Sequence, residues 1–177
     1  MNDTTAALNL RDFIRDIPDF PKPGIVFKDI TPMLADGDAF CTSISELACH
    51  IPQGVDAIVG IESRGFIFGA GLAQHGCIGL VPVRKPGKLP AEVHGIDYEL
   101  EYGMDRLEIH RDSLSPGHRV VIVDDLLATG GTVRATVDLV RKLGAEVVAC
   151  LFVVELKFLN GRERIADVPV HSLITYD

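Results

Sequence analysis

Two adjacent carboxylates, Asp124 and Asp125, stand between an apolar run and a glycine-rich turn. The β-branched run Val120–Val123 predicts a buried strand, and the apolar spacing after Thr132 predicts a helix. The turn between them consists of Ala128, Thr129, Gly130, Gly131 and Thr132. A tight turn at a helix N-terminus directs several backbone N–H groups at one point, which is a geometry that binds phosphate. Because carboxylates accept hydrogen bonds from sugar hydroxyls, the segment predicts a site for a phosphorylated sugar.

The simplest alternative for this segment is an ordinary strand–turn–helix connection with an acidic cap. Neighbouring carboxylates at a buried edge are costly without a ligand, which favours the binding site. Other motifs with related chemistry fail on their residues. Gly60–Gly65 has the glycine spacing of a P-loop, but Phe66 and Ile67 stand where Lys and Ser or Thr are required. Ser63 is not predicted to be a hydrolase nucleophile, because Ile61 replaces the glycine of that motif.

Positive charge for an anionic ligand is available in two further segments. Arg64 lies in a short polar turn after the predicted strand Ala57–Ile61, at the same edge of the sheet as the carboxylates. Arg84, Lys85 and Lys88 lie close together in a stretch without acidic side chains. That stretch is rich in Pro and Gly, which suits a mobile lid that closes over a diphosphate and excludes water. An exposed arginine turn and a solvated basic loop are the alternative interpretations.

The composition limits the classes of protein that are possible. The 177 residues suit one domain, and an apolar content of 47 % indicates a compact core. A net charge of −8 argues against nucleic acid as the main ligand. The cysteines have no metal-site spacing and fall in apolar patterns, so we expect them to be reduced and buried in a cytoplasmic protein. Neither a signal peptide nor a membrane span is predicted.

Strands and helices alternate along the sequence and predict an α/β fold. Further strands are predicted at Ile78–Val83, Val147–Val154 and Val168–Ile174. A helix is predicted at Gly65–Gln74, and Tyr98–Glu101 and Arg106–His110 alternate like a hairpin with its bend at Tyr102–Asp105. This order implies a mainly parallel, twisted sheet that is flanked by helices on both faces.

The N-terminal part of the sequence does not join that alternation. The apolar spacing over Leu10–Ile17 predicts a helix that Pro18 ends. Asp36 is expected to cap a second helix. We expect the residues before Ala57 to pack over the top of the sheet as a small hood.

Several segments resemble a known family. Val123–Thr132 resembles the signature loop of the type I phosphoribosyltransferases, which binds 5-phosphoribosyl 1-diphosphate. Four further segments resemble the adenine branch of that family: Pro21–Ile30, Val81–Pro90, Tyr98–Gly103 and Leu107–His110. The resemblance covers nearly all of the sequence, from about Ile14 to the C-terminus. It implies the type I phosphoribosyltransferase fold.

The resemblance also implies an organisation, a reaction and partners. One domain is expected over 1–177, with the hood inside 1–35 and the lid over 84–105. The expected reaction is a step of purine salvage, in which adenine and 5-phosphoribosyl 1-diphosphate give AMP and diphosphate. Mg²⁺ is the expected cofactor and is held mainly through the substrate, without direct ligands from the protein. A homodimer is expected, with neither nucleic acid nor membrane as a partner.

Individual residues take roles from the same resemblance. The residues expected to contact adenine are Val26, Phe27, Lys28 and Leu126, with the aromatic ring stacked on the purine and backbone groups reading its edge. The diphosphate is expected near Arg64, Arg84, Lys85 and Lys88, and the 5′-phosphate at residues 128–132. The catalytic residues are expected to be Asp124 and Asp125, which hold the ribose hydroxyls, and Glu101, which lies beside Tyr102 and acts near purine N7.

Two other functions stay open at this point. A salvage enzyme for hypoxanthine or xanthine would use the same phosphate turn, and a comparison of turnover with adenine and with 6-oxopurines distinguishes the two. A non-catalytic sensor of the sugar diphosphate would carry an added nucleic-acid-binding element. The sequence has neither the spare length nor the basic face for such an element.

Overall fold

The computed structural model describes residues 8–100 and 103–177. The strands in these ranges are β1 (Arg15–Pro18), β2 (Val26–Asp29), β3 (Ala57–Ile61), β4 (Gly79–Val83), β5 (Val93–Leu100), β6 (Gly103–His110), β7 (Arg119–Leu127), β8 (Glu146–Leu156) and β9 (Val170–Tyr176). The helices are α1 (Thr31–Ala35), α2 (Gly37–Ala48), α3 (Gly65–Gly76) and α4 (Gly131–Lys142), and short 3₁₀ turns occur at Leu10–Phe13, Lys157–Leu159 and Gly161–Ile165. None of the described helices is long and apolar enough to cross a bilayer.

The central sheet contains five strands in the order β4-β3-β7-β8-β9. Every neighbouring pair in it is parallel, which confirms the predicted α/β class. The predicted strand residues Val120–Val123 are fully buried in β7. Because β7 is the middle strand, Asp124 and Asp125 near its carboxyl end lie beside the end of β3, where ligands of such sheets bind.

Two apolar clusters cover the two faces of this sheet. On one face, α4 shares a cluster with Val120 and Ile122 of β7. On the other face, α2 and α3 share a cluster with Val121 and Val123. Alternate residues of β7 therefore face opposite layers, as a strand buried on both sides requires. Since α2 lies in one of these layers, the residues before Ala57 contribute to the sheet's cover as well as to the expected hood.

Between β4 and β7 the polypeptide forms an antiparallel hairpin in place of a helix. β5 and β6 pair from Val93–His110 to Leu100–Gly103, so the hairpin is longer than predicted. The predicted bend was placed too late, because Gly103–Asp105 already belong to β6. Leu107 and Ile109 are fully buried in the cluster that contains α4. The hairpin therefore covers part of one sheet face.

The helix predicted over Leu10–Ile17 is wrong. Leu10–Phe13 forms one 3₁₀ turn, and Arg15–Pro18 forms β1, which pairs antiparallel with β2. Ile17 lies opposite Phe27 in this pair. Strand pairing supplies backbone hydrogen bonds over a segment whose helical pattern was short, so tertiary context outweighed local propensity. The predicted cap is confirmed, because Asp36 accepts a hydrogen bond of 2.9 Å from the backbone N–H of Ala39.

The prediction that all four cysteines are buried is also wrong. Cys150 is buried, but Cys41, Cys49 and Cys77 are exposed, and all four are free thiols. Cys49 and Cys77 follow the last turns of α2 and α3. Apolar neighbours in the sequence do not by themselves show that a residue lies on the buried face of a helix. They also do not show whether it lies within the helix or just after its last turn.

Candidate active site

A polar site opens at the carboxyl ends of β3 and β7 and consists of two adjoining cavities. The first has a volume of about 260 Å³ and is lined by residues of β7, the turn after β3, the hairpin and the start of α4. The second has a volume of about 190 Å³ and is lined by the turn at 128–132. Arg64, Asp124, Asp125 and Thr132 line both cavities. The structure therefore brings together the predicted turn, the paired carboxylates and two predicted cations, Arg64 and Lys85.

The turn at 128–132 has the backbone conformation of an anion site. Gly130 has φ +81° and is the N-cap of α4, which begins at Gly131, one residue before the predicted start. Among the residues that the structure describes, none caps this helix end through its side chain, so the first backbone N–H groups are available to an anion. Arg141 and Lys142 in the last turn match the negative end of the helix dipole.

The backbone of Gly161 packs directly against the backbone of this turn. A Cβ atom on Gly130 would lie 2.3 Å from the carbonyl oxygen of Gly161. A Cβ atom on Gly161 would lie 2.2 Å from the carbonyl oxygen of Ala128. Real Cβ atoms do not approach backbone so closely, so the packing requires glycine at both positions. Gly161 was not among the predicted site residues.

The two paired carboxylates differ in their surroundings. Asp125 is buried and accepts a hydrogen bond from the guanidinium of Arg64. Asp124 accepts a hydrogen bond of 2.9 Å from the backbone N–H of Asp125, and a Cβ atom on Gly65 would lie 3.0 Å from its Oδ1. Burial raises the pKa of Asp124 well above its usual range, and the neighbouring Asp125 carboxylate raises it further. Burial opposes a higher pKa at Arg64, but the attraction of Asp125 outweighs it.

Two of the predicted cations are held by acidic partners at the first cavity. Arg84 Nη2 donates to Glu62 at 3.3 Å, and the backbone N–H of Lys85 donates to the same carboxylate at 2.8 Å. Lys85 Nζ donates to Asp105, which also accepts a hydrogen bond of 3.2 Å from the Tyr98 hydroxyl. Burial opposes each shift, yet these contacts lower the pKa of Glu62 and of Asp105 and raise that of Lys85. The buried Nε of Arg84 has no hydrogen-bond partner among the described residues.

The remaining predicted residues of the lid lie apart from these cavities or outside the structure. Lys88 is exposed, and its carbonyl oxygen accepts a hydrogen bond of 3.2 Å from Arg84 Nη1. Neither Lys88 nor Arg84 lines either of the two cavities that the described residues form at this site, although Arg84 contacts Glu62, which does. Glu101 and Tyr102 lie outside the described residues, so the role of Glu101 stays a prediction.

The predicted purine contacts lie around the β1–β2 pair and the end of β7. The Phe27 ring lies 5.7 Å from the guanidinium carbon of Arg64. Val26 is 48 % exposed, so its side chain is open to a ligand. Lys28 Nζ donates to Asp16 at 2.7 Å, so its side chain is already paired. Leu126 lines the second cavity. Phe27 and Leu126 are thus close to the paired carboxylates, whereas the ammonium group of Lys28 is engaged elsewhere.

Four residues of the site were missed in the sequence. Glu62, Tyr98 and Asp105 line the first cavity, and Gly161 supports the turn. A correct hairpin register would have indicated two of them, because Tyr98 lies directly opposite Asp105 and their side chains share a face, but the sequence analysis placed Asp105 in the bend. The contact of Gly161 with the turn joins segments far apart in sequence, and no local pattern indicates it.

Comparisons with known proteins show the family to which the chain belongs. The family model of the phosphoribosyl transferase domain matches residues 27–172. An adenine phosphoribosyltransferase from Synechococcus is 57 % identical over 171 residues, which is 96 % of this chain and 100 % of that protein. The crystal structure of an adenine phosphoribosyltransferase from Thermoanaerobacter pseudethanolicus has a TM-score of 0.92 and 54 % identity, covering 94 % of this chain and 98 % of that chain. A third relative, from Saccharomyces cerevisiae, was crystallised with adenine and an imino-altritol bisphosphate; its TM-score is 0.84 and its identity 40 %, over 93 % of this chain and 96 % of that one.

Proposed function

The chain belongs to the phosphoribosyltransferase family and, within it, to the adenine phosphoribosyltransferases, and from this premise we propose how its residues bind and convert the substrates. It is an enzyme of purine salvage that transfers the 5-phosphoribosyl group from 5-phosphoribosyl 1-diphosphate to adenine, giving AMP and diphosphate. One observation carries the assignment of the site. The glycine turn, the paired carboxylates and Arg64 line adjoining cavities at the carboxyl edge of the sheet.

The turn at 128–132 binds the 5′-phosphate, and the paired carboxylates bind the ribose. Free backbone N–H groups at the start of α4 and the helix dipole both favour a doubly charged phosphate. Asp124 and Asp125 accept hydrogen bonds from the ribose hydroxyls, and they add negative potential beside the ring as positive charge develops on it. Fixing the sugar at both ends supplies the positioning on which this displacement reaction depends.

The diphosphate occupies the first cavity, beside Arg64, Arg84 and Lys85, and Lys88 approaches it when the lid over 84–105 closes. The cationic residues Arg64 and Lys85 line this cavity and support the assignment, since their positive charge can neutralise a diphosphate. Closure of the lid excludes water, which would otherwise compete with adenine for the sugar. The hood within residues 1–35 closes the purine side.

Mg²⁺ fits this site as a companion of the diphosphate. The carboxylates around the first cavity offer the hard oxygen atoms that Mg²⁺ prefers. Among the described residues, however, no three His, Cys, Asp or Glu side chains converge as a metal site requires. When bound, the ion would be held mainly through substrate oxygens and would neutralise charge on the leaving diphosphate. Residues Arg64, Arg84 and Lys85 add to that neutralisation from the protein side.

Adenine binds between the hood and the end of β7. Phe27 stacks on the purine, Leu126 packs against its edge, and backbone groups of Val26 and Lys28 read the Watson–Crick face. Adenine N6 donates and N1 accepts, so a backbone carbonyl and a backbone N–H group recognise both. A 6-oxopurine would turn an acceptor toward that carbonyl and leave it unpaired, which gives a basis for selectivity.

The reaction needs no covalent enzyme intermediate. The bond between C1′ and the diphosphate oxygen breaks, with its electron pair leaving on the diphosphate, and adenine N9 bonds to C1′ from the opposite face. Adenine reacts as its N7–H tautomer through the lone pair on N9, and the Glu101 carboxylate accepts the N7 proton, so that charge balances as the N9–C1′ bond forms. Glu101→Gln should lower kcat by about 100-fold with little change in adenine affinity. A change confined to KM would instead assign Glu101 to positioning.

Two finer assignments concern assembly and location. A homodimer is supported by Ile67 of α3 and Leu80 of the edge strand β4, which are 38 % and 39 % exposed and are large apolar side chains. Sedimentation at micromolar concentration tests it, and a single species of 19.2 kDa would contradict it. A cytoplasmic location is supported by the four free thiols.

A direct assay tests the proposed function. The protein is incubated with Mg²⁺, 5-phosphoribosyl 1-diphosphate and one of adenine, hypoxanthine, guanine or xanthine, and nucleotide formation is followed by absorbance. We expect AMP from adenine and turnover lower by at least about 100-fold with each 6-oxopurine, because each leaves a buried polar group unpaired. Comparable turnover with a 6-oxopurine would overturn the purine assignment, and no nucleotide from any base would overturn the proposed activity.

A further inference from the structure

We propose that Gly161 and Arg162 are positioning residues for the phosphate turn at 128–132. The inference rests on the proposed function of that turn as the 5′-phosphate site and adds the device that holds it in place. Neither residue lines the cavities formed by the described residues. They act through the backbone of the turn, from the side that faces away from the ligand.

The first step of the argument is the contact itself. Gly161 is buried, and its backbone lies so close to Ala128 and Gly130 that a Cβ atom on it would be 2.2 Å from the carbonyl oxygen of Ala128 and 3.1 Å from the backbone nitrogen of Gly130. Gly130 makes the reciprocal contact with Gly161. Backbone in contact with backbone cannot yield as a flexible side chain does, so the position of Gly161 fixes the rear of the turn.

The second step is what fixes Gly161. Arg162, the next residue, donates from Nε and Nη2 to the two oxygens of Glu155, at 2.5 and 2.7 Å. Its Nη1 donates to the carbonyl oxygen of Val170 at 2.9 Å. Glu155 lies in β8 and Val170 in β9, so one guanidinium ties the segment to two strands of the central sheet. Glu155 is only 3 % exposed, and the contact with Arg162 lowers its pKa.

The third step is the opposite end of the same segment. Ile165 is fully buried in the cluster that contains α4. Asp167 accepts hydrogen bonds from Arg134 and Arg141 of α4, at 3.0 and 2.6 Å. The segment from Gly161 to Asp167 therefore connects the central sheet to α4, the helix that follows the phosphate turn. Such bracing is what a preorganised binding site requires of its supporting residues.

A physical consequence follows for the ligand. Backbone N–H groups bind an anion well only at about 2.7–3.1 Å and with good alignment. A displacement of the turn of about 1 Å, though remote from the reacting atoms, is enough to cost on the order of 100-fold in rate. Loss of the brace should therefore weaken ligands that carry the 5′-phosphate and leave adenine binding nearly unchanged.

The test uses two variants with matched controls. Gly161→Ala places a methyl group against the turn, and Gly37→Ala is its control, because a Cβ atom on Gly37 meets nothing within 4 Å. Arg162→Gln removes the brace. Its control is Arg119→Gln, since Arg119 also donates to backbone carbonyls, those of Gln53 and Gly54, and lies at the opposite end of the central sheet. The affinity of ribose 5-phosphate is measured by calorimetry, with KM for 5-phosphoribosyl 1-diphosphate and for adenine measured separately.

We expect Gly161→Ala to weaken ribose 5-phosphate by on the order of 100-fold and Arg162→Gln by about 10-fold, with the adenine KM and both controls close to wild type. Arg162→Lys, which keeps the charge but not the paired geometry, should lie between Arg162→Gln and wild type and serves if Arg162→Gln does not fold. Unchanged ribose 5-phosphate affinity in a folded variant, or equal losses for both substrates, overturns the inference. Wild-type protein that fails to form AMP would instead overturn the proposed function itself.

Discussion

The two halves of the cavity are built in different ways. The half that we propose for the 5′-phosphate consists of backbone, with Gly130 at φ +81° and its turn in contact with Gly161 on the side away from the cavity. The half that we propose for the diphosphate consists of side chains, and its cations already have acidic partners, as Lys85 has in Asp105. The backbone half therefore has its binding conformation before any ligand arrives. The cations of the side-chain half must instead exchange their carboxylate partners for substrate oxygens.

This difference suggests a division of labour. The phosphate on the sugar is unchanged by the reaction, so a fixed backbone site can hold it throughout and serve as the reference point. The diphosphate must be neutralised and then released, which favours exchangeable side-chain contacts. Pairing with Glu62, Asp105 and Asp125 also gives these partly exposed cations acidic partners between turnovers. Variants that break one half at a time should therefore have separable effects.

The largest effect is expected from Gly130→Val, which breaks the backbone half. A β-branched residue is disfavoured at φ +81°, and its Cβ would collide with the Gly161 carbonyl. We expect a loss of kcat/KM on the order of 1,000-fold, because preorganised donors are displaced together. Gly117→Val is the matched control, since Gly117 has φ +85° but nothing within 4 Å of its Cβ position. If both variants lost activity to a similar extent, backbone strain alone would explain the effect of Gly130→Val, and the contact with Gly161 would not be needed.

The next largest effect is expected from Asp125→Asn, at the boundary of the two halves. The substitution removes a charged acceptor for the ribose and the partner of Arg64. We expect kcat to fall by about 100-fold, with a folded protein by circular dichroism. Asp138→Asn removes a carboxylate that pairs with Arg134 on α4 and should leave kcat close to wild type. Unchanged turnover in Asp125→Asn would remove the ribose assignment.

A smaller pair of effects, with opposite signs, is expected in the side-chain half. Lys85→Met should raise KM for 5-phosphoribosyl 1-diphosphate by about tenfold or more, because a charge-assisted hydrogen bond contributes about 1.5–3 kcal/mol. Asp105→Asn should lower that KM by about threefold, since Lys85 no longer has to leave an anionic partner. Initial-rate kinetics measure both values. A raised KM in Asp105→Asn would mean that Asp105 positions Lys85 instead of competing for it.

The smallest effect concerns the stability of the ligand-free protein and its dependence on pH. The pKa of Asp124 is raised in the folded state, so the folded state holds this proton more tightly than the unfolded state does. In the unfolded state Asp124 ionises at its ordinary pKa of about 3.9. As the pH rises from that value to the higher pKa of the folded state, the free energy of unfolding therefore falls. Asparagine does not ionise, so the melting temperature of Asp124→Asn minus that of wild type should increase as the pH rises through this range. A stability difference that is independent of pH would contradict the raised pKa.

Much of the site was predictable because its signals are local. The turn at 128–132 joins a β-branched strand to an amphipathic helix, and each signal lies within a few residues of the next. The parallel sheet followed from alternation along the sequence in the same way. The role of Gly161 was not predictable, because its contact with Ala128 and Gly130 joins segments that are distant in sequence. The N-terminal helix was wrongly predicted because pairing with the next strand, Val26–Asp29, determines the conformation of Arg15–Pro18 and outweighs its local helical pattern.

The most direct measurement of the central claim is a crystal structure of the protein with AMP. The account predicts that the phosphate oxygens of AMP lie within about 3.2 Å of backbone nitrogens in the turn at 128–132. It also predicts that the ribose hydroxyls contact the carboxylates of Asp124 and Asp125. A phosphate bound instead among Arg64, Arg84 and Lys85, with the turn left empty, would contradict it.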